Sequence, residues 1–473
     1  MIFKIARFWA AVLLISLFIP AAAYARIDYT FSPRLSVEGL YNDNYYNREK
    51  NKDNKESDKK DAFLITVSPG ILLSLLTKNT TLDLDYSLNS RGYFVENEKD
   101  RYEYFNQRGS GAFRANLSRE FSILLRDEII KDEEITLLDE TLTRKERRLE
   151  YIRNISGGDL IYRYGEGREI SAGYLLTILD YFDNIVDNNK RHDFKGHILH
   201  SFNIRNNVDI SYRHSIVDYR RLNDPGQVSR DDLYEDEIRG RYMYNFTPRF
   251  SSGLNYGYVE AHYDELSGMP PIDYHVHDAA IESMYSISRY LAADGKIGLS
   301  LREAYGMDSA NKDAWDKGLI YRAGIKYTYP SLTGMTAYEG GYGSNYINPE
   351  RLEYYNYWRL SGDLSYRFMR DALMLSGHGY YMVNRYPDSV DSRRDHIWNA
   401  GGGISYRVVD WLLFSLEYNH TARNSNILGL HYVENTYLAR FTISYKYSTI
   451  GKEKEQRERI KEEPIRGERK NAE

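Results

Sequence analysis

Apolar and polar residues alternate one by one along many stretches of this chain. In Thr81–Asn89, Leu82, Leu84, Tyr86 and Leu88 fall on one side, and Asp83, Asp85, Ser87 and Asn89 on the other. Tyr321–Tyr329 sets Ala323, Ile325, Tyr327 and Tyr329 against Arg322, Lys326 and Thr328. Leu412–Tyr418 sets Leu412, Phe414, Leu416 and Tyr418 against Ser415 and Glu417, and Phe441–Tyr447 sets Phe441, Ile443, Tyr445 and Tyr447 against Thr442, Ser444 and Lys446. A period of two predicts β-strands with one apolar and one polar face. An aromatic-x-apolar couplet closes such segments at Tyr162, Phe202, Tyr244, Tyr285, Tyr327, Tyr366, Tyr406 and Tyr445, every 39–42 residues. A fixed period marks one supersecondary unit used repeatedly, here a hairpin.

The connections alternate in length. Short turns are expected at 77–79, 118–120, 165–167, 205–207, 330–332 and 369–371. Long polar connections are expected near 44–61, 95–103, 131–148, 183–193, 218–235, 264–274, 306–315, 344–355, 386–396 and 423–434. Short turns at one end and long loops at the other are the asymmetry of a transmembrane barrel, with the short set periplasmic and the long set extracellular. The pattern predicts an all-β fold: a closed antiparallel up-and-down barrel of about 20 strands, with 18 and 22 also open. A soluble propeller shares the repeat length, but its inner strands need two apolar faces. Here the second face carries Asp, Arg, Lys, Glu, Ser and Asn in strand after strand.

Three segments are expected. Residues 1–25 read as a cleaved signal peptide: Lys4 and Arg7, the apolar run Ala10–Ile19, then Ala23-Tyr24-Ala25 before Arg26. Residues 26–447 form the barrel, and 448–473 a charged periplasmic tail without fixed structure or with a short helix. The polar run Arg48–Asp61 is expected to be an extracellular loop. Tyrosine is conspicuous at 45 copies, yet no run of about 18 apolar residues follows the leader, so no transmembrane helix is expected. With no cysteine, disulfides and thiolate metal sites are excluded. A net charge of −5 with scattered signs gives no footprint for nucleic acid.

Catalytic signatures are missing: there is no G-x-S-x-G elbow, no H-E-x-x-H pair and no phosphate-cradling glycine loop. His275 and His277 would share one strand face, as two imidazole ligands must, but polar residues at a membrane rim account for them better. Asp180, Asp183 and Asp187 offer oxygens without a calcium-loop spacing, so no metal and no cofactor is expected. The informative residues are the pore-lining candidates Asp83, Asp85, Asp209, Arg213, Glu282, Lys326, Arg359, Asp363, Arg367, Glu417, Arg440 and Lys446. So many charges would be prohibitive in a dry core, and their mixed signs argue for weak selectivity or for ion pairs across the wall. About 20 strands tilted by 40° make a cylinder on the order of 40 Å across. Tyr164, Phe246, Tyr329, Phe368 and Tyr447 are expected in the interface girdle on the short-turn side.

Ser32-Pro33-Arg34-Leu35 leading into Tyr41-Asn42-Asp43-Asn44, then Thr66-Val67-Ser68-Pro69-Gly70, Arg153-Asn154 and Arg440-Phe441-Thr442-Ile443-Ser444-Tyr445 carry a family resemblance. On these motifs the chain resembles the outer-membrane β-barrel porin 2 group, whose members accompany exopolysaccharide and PEP-CTERM loci in Gram-negative bacteria. The resemblance implies a porin-like barrel serving polysaccharide export and transfers no catalytic residue. Residues 448–473 depart from it, since such barrels finish on the last strand, so an assembly signal would lie within Phe441–Tyr447. Expected partners are outer-membrane lipid and lipopolysaccharide, the barrel-assembly machinery, a polysaccharide cargo and a periplasmic protein met by the tail. A docking barrel for envelope proteins is the second reading, and an enzyme the third.

Overall fold

The computed structural model describes residues 27–45, 60–95, 103–132, 150–182, 188–220, 232–263, 273–305, 316–344, 354–369, 371–386, 392–427 and 430–449. The expected leader, residues 48–59 of the 48–61 loop and nearly all of the tail lie outside them. Twenty strands follow one another without a helix among the described residues. They are β1 (Asp28–Asn42), β2 (Ala62–Leu76), β3 (Thr80–Val95), β4 (Glu103–Asn116), β5 (Phe121–Asp132), β6 (Tyr151–Gly165), β7 (Arg168–Tyr181), β8 (Asn188–Ser201), β9 (Asn206–Arg220) and β10 (Leu233–Thr247). The second half comprises β11 (Phe250–Tyr263), β12 (Asp273–Ser286), β13 (Leu291–Tyr305), β14 (Asp316–Thr328), β15 (Leu332–Ser344), β16 (Tyr354–Phe368), β17 (Leu373–Arg385), β18 (Arg394–Val409), β19 (Leu412–Ser425) and β20 (Tyr432–Ser444).

Each strand pairs antiparallel with the next, and β20 returns to β1 from Asn42↔Thr436 to Arg34↔Ser444. The two-residue strand β21 (Tyr447–Ser448) carries this register on to Phe31 and Thr30. The sheet is closed, so it has no free side edge. Nine short and ten long connections alternate, as the pattern predicts.

Several boundaries differ from expectation. The turn expected at 205–207 occupies Phe202–Arg205 instead, because the Asn203 side chain accepts the amide protons of Arg205 (2.8 Å) and Asn206 (3.0 Å) and sets the bend earlier. The Phe202–Ile204 couplet therefore sits in a turn. Long connections are narrower than expected because hydrophilic strand ends look like loops: β8 begins at Asn188, β10 at Leu233 and β18 at Arg394.

Alternation gives every strand two faces, and barrel curvature identifies them. On the polar face side chains of alternate strands converge: Arg34 of β1 meets Asp85 of β3 (Nη1 to Oδ2, 3.0 Å), Arg91 of β3 meets Asp132 of β5 (3.7 Å), and Arg241 of β10 meets Glu282 of β12 (3.5 Å). A concave surface favours such convergence and the opposite face is apolar and exposed, so this face is the inner one. Glycines of the strand between clear the way. A Cβ on Gly70 would stand 2.9 Å from Arg34 Nε, and one on Gly401 2.6 Å from the imidazole of His378 as it reaches Asn419. Gly70→Val is expected to cost about 1–3 kcal/mol through overpacking, read as a lower urea midpoint in micelles; an unchanged midpoint would show that the Arg34–Asp85 bridge can reroute.

The outer face is apolar and exposed, with Leu254, Ile297 and Leu319 each near 60% accessible (61%, 63% and 59%). A polar interior inside a continuous apolar band is the inverse of a soluble protein and belongs to a transmembrane barrel.

Candidate functional site

The inner wall is the candidate site. All twelve pore-lining candidates occupy inward positions by strand register, Lys446 by continuation of the β20–β21 register. Asp83 accepts a hydrogen bond from the Ser74 hydroxyl (2.6 Å), Asp85 pairs with Arg34, and Arg440 with Glu38 (2.8 Å). The Arg359 guanidinium lies 4.1 Å from the Tyr380 ring centroid, a cation–π geometry. Lys326, Asp363, Arg367, Glu417 and Lys446 are exposed to the lumen.

Two candidates join one network and a third, Arg213, lies beside it. Arg241 reaches both Asp209 (3.3 Å) and Glu282 (3.5 Å), and Asp209 also meets His197 (3.0 Å). Beside it Arg213 pairs with Glu235 (2.7 Å) and Glu237, and Arg239 with Glu237. Arg191 pairs with Asp193 (2.8 Å). Glu235, Glu237 and Asp193 are buried. A second cluster joins Asp395, fully buried, to Arg393 (2.9 Å) and Arg423 (2.6 Å). Sequence reasoning missed Asp193, Glu235, Arg393, Asp395 and Arg423 because each fell in or at the edge of a stretch assigned to a loop. Their odd-numbered spacing, continuous with the inward positions of the adjoining strand, was the available signal.

Packing differs between the two ends. Towards the long connections inward side chains are buried in clusters: Tyr45, Ala62, Leu64 and Tyr93 on one side, and Val217, Leu233, Ala261 and Tyr274 on another. Burial there also pushes the phenol of Tyr386, just beyond β17, up to about 12. Towards the short turns Arg34, Asp83, Arg367 and Glu417 remain accessible. A recess of about 450 Å³ opens in the inner wall, with Asp83, Asp85, Arg126 and Glu128 in its lining. Among the described residues, inward side chains are thus accessible at the short-turn end and packed in buried clusters towards the other.

Tyr164, Phe246, Tyr329, Phe368 and Tyr447 all take outward positions near the short turns. His275 and His277 are also outward: His275 Nε2 lies 3.2 Å from Glu260, and His277 shares a hydrogen bond with the Tyr256 hydroxyl (2.9 Å). No group of three or more His, Asp or Glu side chains is arranged to hold a metal among the described residues. Asp180 lies on β7, while Asp183 and Asp187 fall outside the described residues. Several outer positions near the strand ends break the apolar rule, Asp236 and Glu260 among them, and one lies in the middle of a strand. Asp127 of β5 faces outward, held by the Ser156 hydroxyl (2.6 Å) and the Asn154 amide (2.9 Å) of β6.

No protein-family model matches the chain, and no curated protein does. Among solved structures it is similar to OccK7 (OpdD) of Pseudomonas aeruginosa, at 12% identity and a TM-score of 0.40, covering 89% of this chain and 100% of that one. It is similar to a BenF-like porin of Pseudomonas fluorescens Pf-5, at 12% identity and a TM-score of 0.41, covering 88% and 99%. It is also similar to the siderophore receptor PiuA of Acinetobacter baumannii, at 9% identity and a TM-score of 0.49, covering 88% and 82%. Likenesses of this strength say nothing about what passes through the barrel.

Proposed function

We propose that the protein is a passive outer-membrane channel for a hydrophilic polymer, with an exported polysaccharide as the cargo class. The observation that carries this reading is the inner wall: a closed barrel lined with charged and polar side chains, with Arg34, Asp83, Arg367 and Glu417 accessible at the short-turn end. Such a surface must be wet, and a wet lumen of this width admits solute without a binding pocket. The accessible charged wall at that end supports loading from the periplasmic side, where the short turns would lie. Mixed, paired charges suit a neutral or weakly charged chain, which slides past them without being trapped. On this reading the outer surface meets lipid and lipopolysaccharide, and the tail beyond residue 449 is available to a periplasmic protein.

Purified protein in planar bilayers should show stepwise conductance, and neutral dextran on the short-turn side should reduce it more than dextran on the other. A barrel that stays sealed at every voltage would overturn the open channel. The buried inward side chains at the long-connection end favour a second reading, a docking barrel shut at one end. A specific partner crosslinked from position 454 in intact cells, together with absent conductance, would establish that reading instead.

A further inference from the structure

The apolar outer face is interrupted over three neighbouring strands. There β4 turns Gly109 and Gly111 outward, β5 turns Asp127, and β6 turns Asn154, Ser156 and Gly158. The apolar band resumes on either side, with Leu82 and Leu84 of β3 and with Leu176 and Ile178 of β7. Asp127 lies in the middle of β5, where a carboxylate faces hydrocarbon and is costly without a partner. Its Oδ1 accepts from the Ser156 hydroxyl (2.6 Å) and the Asn154 amide (2.9 Å). The second proton of that amide goes to the Glu128 carbonyl (3.1 Å). Oδ2 of Asp127 accepts no hydrogen bond among the described residues. What the patch lacks is a donor.

A donor stands two strands away. Tyr86 of β3 also faces outward, and its hydroxyl makes no hydrogen bond among the described residues. Tyr86 lies six residues in from Thr80, at the short-turn end of β3, and Asp127 lies six in from Phe121, so both stand at one level of the wall. Between them runs β4, with Gly109 paired to Tyr86 and Gly111 paired to Asp127. Two strand spacings separate the pair by about 10 Å, too far for a bond within one wall. A half-turn about an axis parallel to the barrel and passing through β4 exchanges their places. A second copy placed by that rotation sets each tyrosine against the other's carboxylate, a long side chain opposite a short one. Glycine occupies the axis itself, where small residues let backbones approach closely in a membrane.

We propose that the outer face of β3–β6 is a self-association surface, on which two copies pair by an isologous contact. Tyr86 of each copy donates to Asp127 of the other, and the leucines around them meet across the axis. Acyl chains offer Asp127 no donor, and lipid head groups lie at the strand ends, whereas a second copy supplies the donor at the right depth. The inference stands apart from the channel reading, since it concerns the lipid-facing surface and not the lumen.

The chain has no cysteine, so Lys78→Cys in the exposed turn between β2 and β3 takes a single dye. Donor- and acceptor-labelled full chains are mixed in vesicles and diluted with lipid, and energy transfer gives the dimer dissociation constant. Heat-modifiable mobility checks that each variant is folded. Tyr86→Phe removes two hydroxyls per dimer and should weaken association about tenfold. Gly111→Ile, at the axis, should abolish it, while Gly362→Ile, outward on β16, should leave it unchanged. Asp127→Val should weaken it as Tyr86→Phe does. A mixture of Tyr86→Phe copies with Asp127→Val copies keeps one of the two contacts intact. The mixed pair should therefore associate more tightly than either variant with itself, which a merely structural role for these residues would not produce. Energy transfer no higher than random encounter in the wild type would overturn the proposal. So would association that survives Gly111→Ile, or a mixed pair no tighter than its parents.

Discussion

Replacing Asp395 with alanine is expected to destabilise the barrel by about 3–5 kcal/mol, the usual cost of breaking a buried ion pair by removing one partner. Asp395 is fully buried and sits between Arg393 (2.9 Å) and Arg423 (2.6 Å), themselves 8% and 4% exposed. Removing the carboxylate takes a counter-charge from two guanidinium groups that have little water around them. The penalty comes from stranding those cations, because the net worth of the intact triad is small. Asp395→Asn keeps a hydrogen-bond acceptor and should cost less. Substituting all three by apolar residues of similar volume should recover most of the loss. Urea denaturation in detergent micelles, followed by electrophoretic mobility, measures all three. A loss below about 1 kcal/mol for the alanine variant would mean that solvent reaches the triad after all.

The barrel was legible because its determinants are local and repeated. Leu82, Leu84 and Tyr86 against Asp83 and Asp85 fix both a strand and the face it turns to lipid, and the alternating connections then give the number of strands. The inner face was legible as well, since Asp209, Arg213, Glu282 and Arg440 needed only the period of two. Partnership was not. Arg34 meets Asp85 across β2 because the wall curves and because Gly70 leaves a gap, and neither fact is encoded near either charge. The strand ends next to long connections were hidden for another reason. In β8 the run Asn188-Asn189-Lys190-Arg191-His192-Asp193 is as polar as any loop, and it is a strand because Arg191 and Asp193 find partners inside the barrel while its backbone pairs with β7 and β9. Asp127 fails in the opposite sense: its alternation places a carboxylate on the outer face, and only Ser156 and Asn154 on the neighbouring strand make that tolerable.

Charge at Arg241 should set the ion preference of the channel, and its sign should reverse with the partner removed. Arg241 is the shared partner of Asp209 and Glu282, and it is 44% exposed to the lumen, so its field reaches the permeating ion. In the wild type Arg241 offsets one of the two carboxylates and leaves one net negative charge, which predicts a weak preference for cations. Arg241→Gln leaves two carboxylates and should turn the lumen towards cations. The double variant Asp209→Asn with Glu282→Gln leaves Arg241 uncompensated and should turn it towards anions. An ion passing within about 7 Å of one uncompensated charge in a wet lumen feels about 0.6 kcal/mol, close to RT, so the permeability ratio should move about two- to threefold per charge. Reversal potentials across a KCl gradient in planar bilayers give the sign directly. The shifts should be largest at low salt and nearly vanish at 1 M, where screening shortens to about 3 Å. Reversal potentials that ignore both variants at low salt would place the ion path elsewhere than along the β9–β12 wall.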